Sequence, residues 1–227
     1  MRLPLLISVP HAGLDVPAAV ARYCILTRGQ IAEDGDEGAA EIYDIGDEVE
    51  AFVTTSVARA IVDLNRAEDD RRKDGVVKTH TCWDVPVYDP FPPGAVVQSL
   101  LETYHRPYHA RLRELASTSG ARLGVDCHTM LALGPPVSPD PGAERPWVCL
   151  SNGDGTCPQE WIDGLQRSFA KLLGGNVRVN DPFRGGYITR THAAEMPWVQ
   201  LELSRAPFLS NAEKRTLVLQ ALRDFAL

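Results

Sequence analysis

Three side chains stand out for the chemistry their types permit: His11 in Pro10-His11-Ala12-Gly13, Asp36 in Asp34-Gly35-Asp36-Glu37-Gly38, and His128 in Asp126-Cys127-His128-Thr129-Met130. A catalytic zinc needs three protein ligands and an open position for water, and two imidazoles with one carboxylate meet that need. Their wide separation along the chain suits a site built at a sheet edge, whereas structural zinc sites take ligands in close pairs. Taken singly, each has an ordinary explanation: a hydrogen-bonded imidazole or, for Asp36, a helix N-cap. Asp34 or Glu37 could replace Asp36 as ligand. His105 and His109, four apart on one helix face, could form a second metal pair or simply pack with Tyr104 and Tyr108.

Two further clusters suit an anionic substrate. In Val62-Asp63-Leu64-Asn65-Arg66, a guanidinium able to grip a carboxylate through two parallel hydrogen bonds sits beside an amide donor. The alternative is an Arg66 paired to Asp63 or Asp69. In Asp181-Pro182-Phe183-Arg184-Gly185-Gly186-Tyr187-Ile188-Thr189-Arg190, the glycine pair lets backbone approach a ligand. Arg184 and Arg190 offer anion contacts there and Tyr187 a hydroxyl, unless the segment is only a turn between strands. Glu202 lies between Leu201 and Leu203 on an otherwise core-like strand. Beside an activated water such a carboxylate would be a general base; facing solvent it would be inert.

The elements that must position these residues read as follows. Leu3 to Val9 is a short apolar run ended by Pro10, hence a buried strand that places His11 at its C-terminal end. Glu37 to Phe52 carries apolar residues at near-helical spacing and reads as a surface helix. Phe52 to Val57 and Ala58 to Leu64 are β-branched-rich strand candidates, the second delivering Asn65 and Arg66. Ala67 to Lys78 reads as a charged, mobile stretch. Val96 to Thr118 is the longest helix, with Pro107 a possible kink. Arg122 to Cys127 is a strand ending at His128. Leu133 to Pro146, with five Pro and two Gly, reads as a loop of lid-like length. Trp147 to Leu150, Ile188, and Trp198 to Leu203 are late strands, and Gln159 to Leu173 and Asn211 to Phe225 are helices. Strands alternating with helices imply an α/β sheet covered on both faces, with ligands at the C-terminal strand ends.

Composition narrows the partners. The 227 residues suit one domain spanning 1–227, and 44% hydrophobic with 23% charged residues is ordinary globular usage. Thirty acidic against 23 basic residues give a net charge of -7, the wrong sign for a nucleic-acid or anionic-membrane binder. Five cysteines without C-x-x-C spacing point to neither disulfide framework nor zinc knuckle, so a reducing cytoplasmic location fits best. The first residues show no signal-peptide pattern, and no apolar run reaches the ~18 residues of a membrane span. Oligomeric state is not legible.

Taken together and in order, Ser8-Val9-Pro10-His11-Ala12-Gly13, Asp36-x-Gly38, Val62-Asp63-Leu64-Asn65-Arg66, Asp126-Cys127-His128-Thr129-Met130, Pro182-Phe183-Arg184-Gly185-Gly186-Tyr187 and Gln200-Leu201-Glu202-Leu203-Ser204 resemble the N-formylglutamate amidohydrolase family, and more distantly zinc carboxypeptidases and aspartoacylases. The resemblance implies a three-layer α/β/α sandwich with a mixed, mostly parallel sheet of the zinc carboxypeptidase-like, phosphorylase/hydrolase-like kind. It implies Zn2+, or another divalent metal, on His11, Asp36 and His128, with Glu202 as base. Asn65, Arg66 and Arg184, with Tyr187 and Arg190 behind them, would bind a small anionic N-acyl amino acid such as N-formylglutamate. Arg59 or Arg184 could also steady the oxyanion. The chain departs from the deformylases of histidine breakdown at Asp36-Glu37-Gly38, where an Asp-Trp-His run is expected, and is shorter than they are. The alternatives are a small carboxypeptidase or aspartoacylase-like deacylase, or a non-enzymatic binder of an acidic metabolite.

Overall fold

Strand β1 (Leu3–Val9) feeds two apolar layers by alternation: Leu5, Ile7 and Val9 enter one and Leu6 the other. The computed structural model describes residues 2–135, 138–153 and 155–225. After β1 come short helices α1 (Ala18–Ala21), α2 (Arg28–Asp34) and α3 (Ala39–Ile42), strand β2 (Val49–Thr54), and helices α4 (Gly94–Leu100) and α5 (Arg106–Thr118). Strands β3 (Leu123–Met130) and β4 (Val148–Ser151), helix α6 (Gln159–Leu173), strand β5 (Val177–Val179), helix α7 (Tyr187–His192), strand β6 (Trp198–Ser204) and helix α8 (Asn211–Phe225) complete the fold.

The six strands form one sheet in the order β2-β1-β3-β6-β4-β5. All neighbouring pairs are parallel except β4 with β6, giving a mixed, mostly parallel sheet. Successive strand residues point to opposite faces, and here the two faces differ in chemistry. One carries Val125 and Cys127 of β3, Val199, Leu201 and Leu203 of β6, and Val148 and Leu150 of β4, packed on Ile162, Leu165 and Phe169 of α6 and Val218 and Leu222 of α8. Each such fully buried aliphatic or aromatic side chain contributes about 1.5–3 kcal/mol relative to exposure. On the other face, Leu6, Val53 and Trp198 pack against Leu100, Tyr108 and Leu112 of the α4–α5 stretch. Trp198 lies flat over Gly124, where a Cβ would come within 2.3 Å of its ring. Toward the C-terminal strand ends this second face turns polar, with Ser8, Asp126, His128, Gln200 and Glu202 all buried. Helices on both faces make the three-layer α/β/α sandwich.

Several elements differ from their sequence expectation. Glu37 to Phe52 is not one helix: α3 ends at Ile42, a 3-10 turn follows over Gly46–Glu48, and β2 begins at Val49. From Val49 onward, burial alternates with period two through Val49, Ala51 and Val53 and the strand pairs with β1, which overrides the three-and-four spacing that Val49 and Phe52 share with Ile42 and Ile45. Ala58 to Leu64 is no strand but a turn closed by Ile61 and Val62 amides on the Ala58 carbonyl; its β-branched content reflects complete burial. Of the stretch Ala67 to Lys78, Gly75 to Lys78 is buried, whereas residues 67–74 are exposed or half-buried. Ile188 lies in α7, not a strand. Between α4 and α5, residues Leu101–His105 form a π turn in which the Arg106 amide reaches the Leu101 carbonyl; Pro107, lacking an N–H, cannot close the usual bond to Thr103. The helices over 159–173 and 211–225 have the expected bounds. Leu133 to Pro146 holds no helix or strand among its described residues, and Pro136 and Val137 lie outside them. No helix among the described residues is long and apolar enough to cross a membrane, and all five cysteines are free thiols.

Candidate active site

His11 follows β1, Asp36 lies in the turn between α2 and α3, and His128 is on β3; the three meet with one donor atom each within 4.8 Å of the others. His11 Nδ1 lies 3.1 Å from His128 Nδ1, while Asp36 Oδ2 lies 3.0 Å from His128 Nδ1 and 3.5 Å from His11 Nδ1. A tetrahedral ion bonded at ~2.0–2.1 Å requires donor separations of about 3.3 Å, so the triangle has the size of one face of such a site. Both imidazoles turn their other nitrogen outward onto a buried acid: His11 Nε2 is 2.8 Å from Asp63 Oδ1, and His128 Nε2 is 2.9 Å from Asp126 Oδ2. If each outer nitrogen donates, both Nδ1 atoms carry lone pairs toward the same point, the arrangement in which outer-shell acids fix metal-binding histidines.

The acids are themselves held. Asp126 accepts from Ser8 Oγ at 2.9 Å, and that hydroxyl meets Tyr108 at 2.9 Å. Asp63 accepts from the Asn65 amide at 2.9 Å and Arg59 Nε at 3.2 Å. Asp36 takes the Thr129 amide at 3.1 Å, with Arg205 3.7 Å away. Asp34 is occupied elsewhere, bonded to Lys78 Nζ at 2.9 Å and to the Cys82 amide at 2.7 Å, and Glu37 is exposed. Of the three candidate acids, only Asp36 belongs to the triangle.

Burial would raise the Asp36 carboxyl, but the charges and hydrogen bonds of His11 and His128 outweigh it and hold it well below the usual range. For His128, burial opposes the charged form, yet Asp126 and Asp36 push it well above an ordinary imidazole. Asp36 and Asp63 pair with the guanidiniums of Arg59 and Arg205, while the buried Asp126 and Glu202 have no Arg or Lys partner among the described residues. With Lys78 taken up by Asp34, four carboxylates against two guanidiniums leave an excess of two negative charges that a divalent cation would neutralise.

Glu202 is the cross-strand partner of His128 in the parallel β3–β6 ladder, so the two side chains leave the sheet on the same face. It is buried, and burial raises its carboxyl above the ordinary value, with His128 opposing. Gln200 Nε2 donates to Glu202 Oε1 at 2.8 Å. These groups line a cavity of about 500 Å³.

Asn65, Arg66 and Arg184 also line it. Arg66 pairs with neither Asp63 nor Asp69; its Nε and NH2 reach the carbonyl and carboxylate of Asp74 at 3.0 and 3.2 Å. Arg184 is exposed and has no ion-pair partner among the described residues. Tyr187 and Arg190 are not cavity-lining. Tyr187 packs its ring 5.3 Å from that of His109, and Arg190 lies on the exposed side of α7. His105 and His109 likewise lie outside the cavity. Asn65 Oδ1 accepts the Ile188 amide at 2.8 Å, and a Cβ on Gly186 would fall 2.2 Å from Asn65 Nδ2, so only glycine lets α7 approach. Pro135, Ser138, Pro139 and Arg145 bring the Pro-rich loop to the cavity wall, with Arg145 bonded to Asp140 at 2.8 and 2.7 Å.

Sequence reading missed the outer acids as a set and also Lys78 and Arg205. Asp63 and Asp126 bear the mark that singled out Glu202, an acid between apolar neighbours. Lys78 was hidden by the charged run before it.

Comparison with known proteins follows the same line. The N-formylglutamate amidohydrolase family model matches residues 3–209. An N-formylglutamate deformylase of Pseudomonas putida is 30% identical over 231 residues, covering 95% of this chain and 85% of that protein. One from Pseudomonas aeruginosa is 26% identical over 223 residues, covering 92% and 83%. The crystal structure of N-formylglutamate amidohydrolase from Ralstonia eutropha JMP134 shares the fold with a TM-score of 0.79 at 22% identity, covering 98% of this chain and 92% of that one.

Proposed function

Since the chain belongs to the N-formylglutamate amidohydrolase family, we propose that it hydrolyses the amide of a small N-acyl amino acid, N-formylglutamate first among candidates, with a zinc-type divalent ion held by His11, Asp36 and His128. The observation that carries this reading is the convergence of three donor atoms at ligand spacing, each imidazole backed by a buried acid, with Glu202 on the same sheet face. When bound, such an ion supplies Lewis acidity that makes water nucleophilic near neutral pH and polarises a carbonyl.

The protein's own residues do the rest. Glu202, kept by burial with a proton affinity above that of a free carboxylate, takes a proton from the attacking water. Gln200 occupies one of its oxygens and leaves the other for that transfer. The water oxygen bonds to the acyl carbon, the C–N bond breaks, and Glu202 returns the proton to the departing nitrogen, giving a small acid and a free amino acid. Arg59, beside Asp36 and Asp63, is placed to steady negative charge on the acyl oxygen. Arg66 and Arg184, the latter without an ion-pair partner among the described residues, attract the substrate carboxylates, with Asn65 beside them on the cavity wall.

The test is metal content together with turnover. Protein stripped by a chelator should lose hydrolysis of N-formyl-L-glutamate and regain it with about one divalent ion per chain. Glu202→Gln should keep the ion and lose roughly 10²–10⁴-fold in kcat; retention of most activity would refute its role. Formyl, acetyl and dipeptide substrates run in parallel decide between deformylase, deacylase and carboxypeptidase action.

A further inference from the structure

Behind the Asn65-Arg66 pair, on the side away from the cavity, three histidines are buried that the proposed chemistry does not use: His105, His109 and His192. His105, the last residue of the π turn, puts Nε2 2.8 Å from the Arg66 carbonyl. His109, one turn later, puts Nε2 3.0 Å from the Leu64 carbonyl. These carbonyls flank Asn65 on either side. His109 Nδ1 in turn meets His192 Nε2 at 2.9 Å with the two rings stacked, and His192 Nδ1 reaches Glu195 at 3.0 Å.

The hydrogen-bond polarity follows from the ends. A carbonyl can only accept, so His105 and His109 each carry their proton on Nε2. His109 Nδ1 is then left with a lone pair facing His192 Nε2. Burial lowers both His105 and His109 relative to a free imidazole, consistent with neutral rings that donate from one nitrogen. From the other side, α7 carries His192 into this chain and its Ile188 amide onto Asn65 Oδ1.

We infer that His105 and His109 are positioning residues for the reaction, a two-point clamp on the Leu64 and Arg66 carbonyls that fixes Asn65 and Arg66 for the substrate carboxylate. The inference rests on the reading of Asn65 and Arg66 as the carboxylate site. Orienting groups of this kind act on substrate capture, because a guanidinium free to swing loses the entropy advantage of a prepared site. Glu202 keeps Gln200, and His11 and His128 keep Asp63 and Asp126, although Asn65 also reaches this shell, with its Nδ2 3.3 Å from His128 Nε2 and its amide on Asp63. The chemical step should therefore change much less than substrate capture.

The experiment is steady-state kinetics on metal-loaded His105→Leu, His109→Leu, His105→Gln and His109→Gln, with Arg66→Ala as control and N-formyl-L-glutamate as substrate. Gln can present a donor near the Nε2 position, and Leu cannot. The Leu variants should raise KM about five- to tenfold each, as expected for one lost hydrogen bond, with kcat within about twofold. The Gln variants should recover most of that loss. If His109→Leu does not fold, His109→Asn, which stays polar but is too short to reach Leu64, carries the same expectation. An unchanged KM, a fall in kcat alone, or no rescue by Gln overturns the clamp. If Arg66→Ala raises KM and the Leu variants do not, the clamp alone is wrong. If Arg66→Ala also leaves KM unchanged, the carboxylate reading falls and takes the clamp with it.

Discussion

Asp126 touches no cavity space, yet it should set how tightly the site holds its ion. It accepts from His128 Nε2 and from Ser8 Oγ, both at 2.9 Å, and no guanidinium or ammonium among the described residues pairs with it. Asp126→Asn keeps the shape and removes the charge. The Ser8 hydroxyl can rotate to donate to Tyr108 and accept from the new amide, so the Asn oxygen can stay on His128. What changes is a charge-assisted hydrogen bond, worth about 1.5–3 kcal/mol, becoming a neutral one worth about 0.5–1.5. The difference, about 1–1.5 kcal/mol, corresponds to roughly tenfold in affinity at ~1.4 kcal/mol per decade. Asp126→Leu removes the acceptor altogether and leaves His128 free to turn or change tautomer, which extends the loss to about 100-fold. Competition with a chromophoric chelator measures the metal Kd directly, and kcat/KM at saturating metal shows how much activity returns. If both variants hold the ion within twofold of the parent chain, the outer acid does not orient His128 and the ligand geometry has been misjudged.

Three other perturbations probe separate parts of the structure. Lys78→Met leaves Asp34 buried without its 2.9 Å partner and should cost about 3–5 kcal/mol, read as a Tm drop on the order of 10 °C in thermal denaturation. Gly186→Ala drives a methyl to within 2.2 Å of the Asn65 amide and should lower kcat/KM for N-formyl-L-glutamate at least about tenfold; unchanged kinetics would show that Asn65 can move freely. His109 is pushed down to about 3 by burial and by neighbouring His105 and His192, so its neutral form stabilises the fold above the unfolded imidazole value. That contribution is lost as pH falls from about 6.5 toward the folded value, at up to ~1.4 kcal/mol per pH unit. His109→Gln should flatten the acid side of a stability-versus-pH curve by urea denaturation, and an unaltered slope would count against the assignment.

How much of this was legible follows from which signal each element carried. The helices over 159–173 and 211–225 show one apolar stripe and clear ends, and the strands at β1, β3 and β6 are apolar runs closed by a breaker or a ligand. The region from Glu37 to Phe52 was misread because Val49 and Phe52 continue the three-and-four spacing of Ile42 and Ile45, whereas the strand's alternation runs through Val49, Ala51 and Val53 and is fixed by pairing with β1. Ala58 to Leu64 misled because burial, not strand formation, selects its side chains. The cavity residues His11, Asp36, His128, Asn65, Arg66, Arg184 and Glu202 were found from their types and surroundings. Tyr187 was not separable from them, since its facing depends on α7 being a helix. The Arg66–Asp74 pair depends on a loop return that local sequence does not encode.

The unequal chemistry of the two sheet faces divides the strands' residues by purpose. Val125, Cys127, Val199 and Leu201 secure the fold, while their immediate neighbours Asp126, His128, Gln200 and Glu202 are polar groups kept from water at an energetic cost. Replacing a bonded pair of the latter together, such as Gln200 with Glu202, by apolar residues of similar volume can therefore yield a hardier but inert protein, whereas trimming one of the former weakens the scaffold and leaves the chemistry in place. Heat tolerance and turnover are thus set by alternate letters of the same few strands, and selection for one property alone would erode the other.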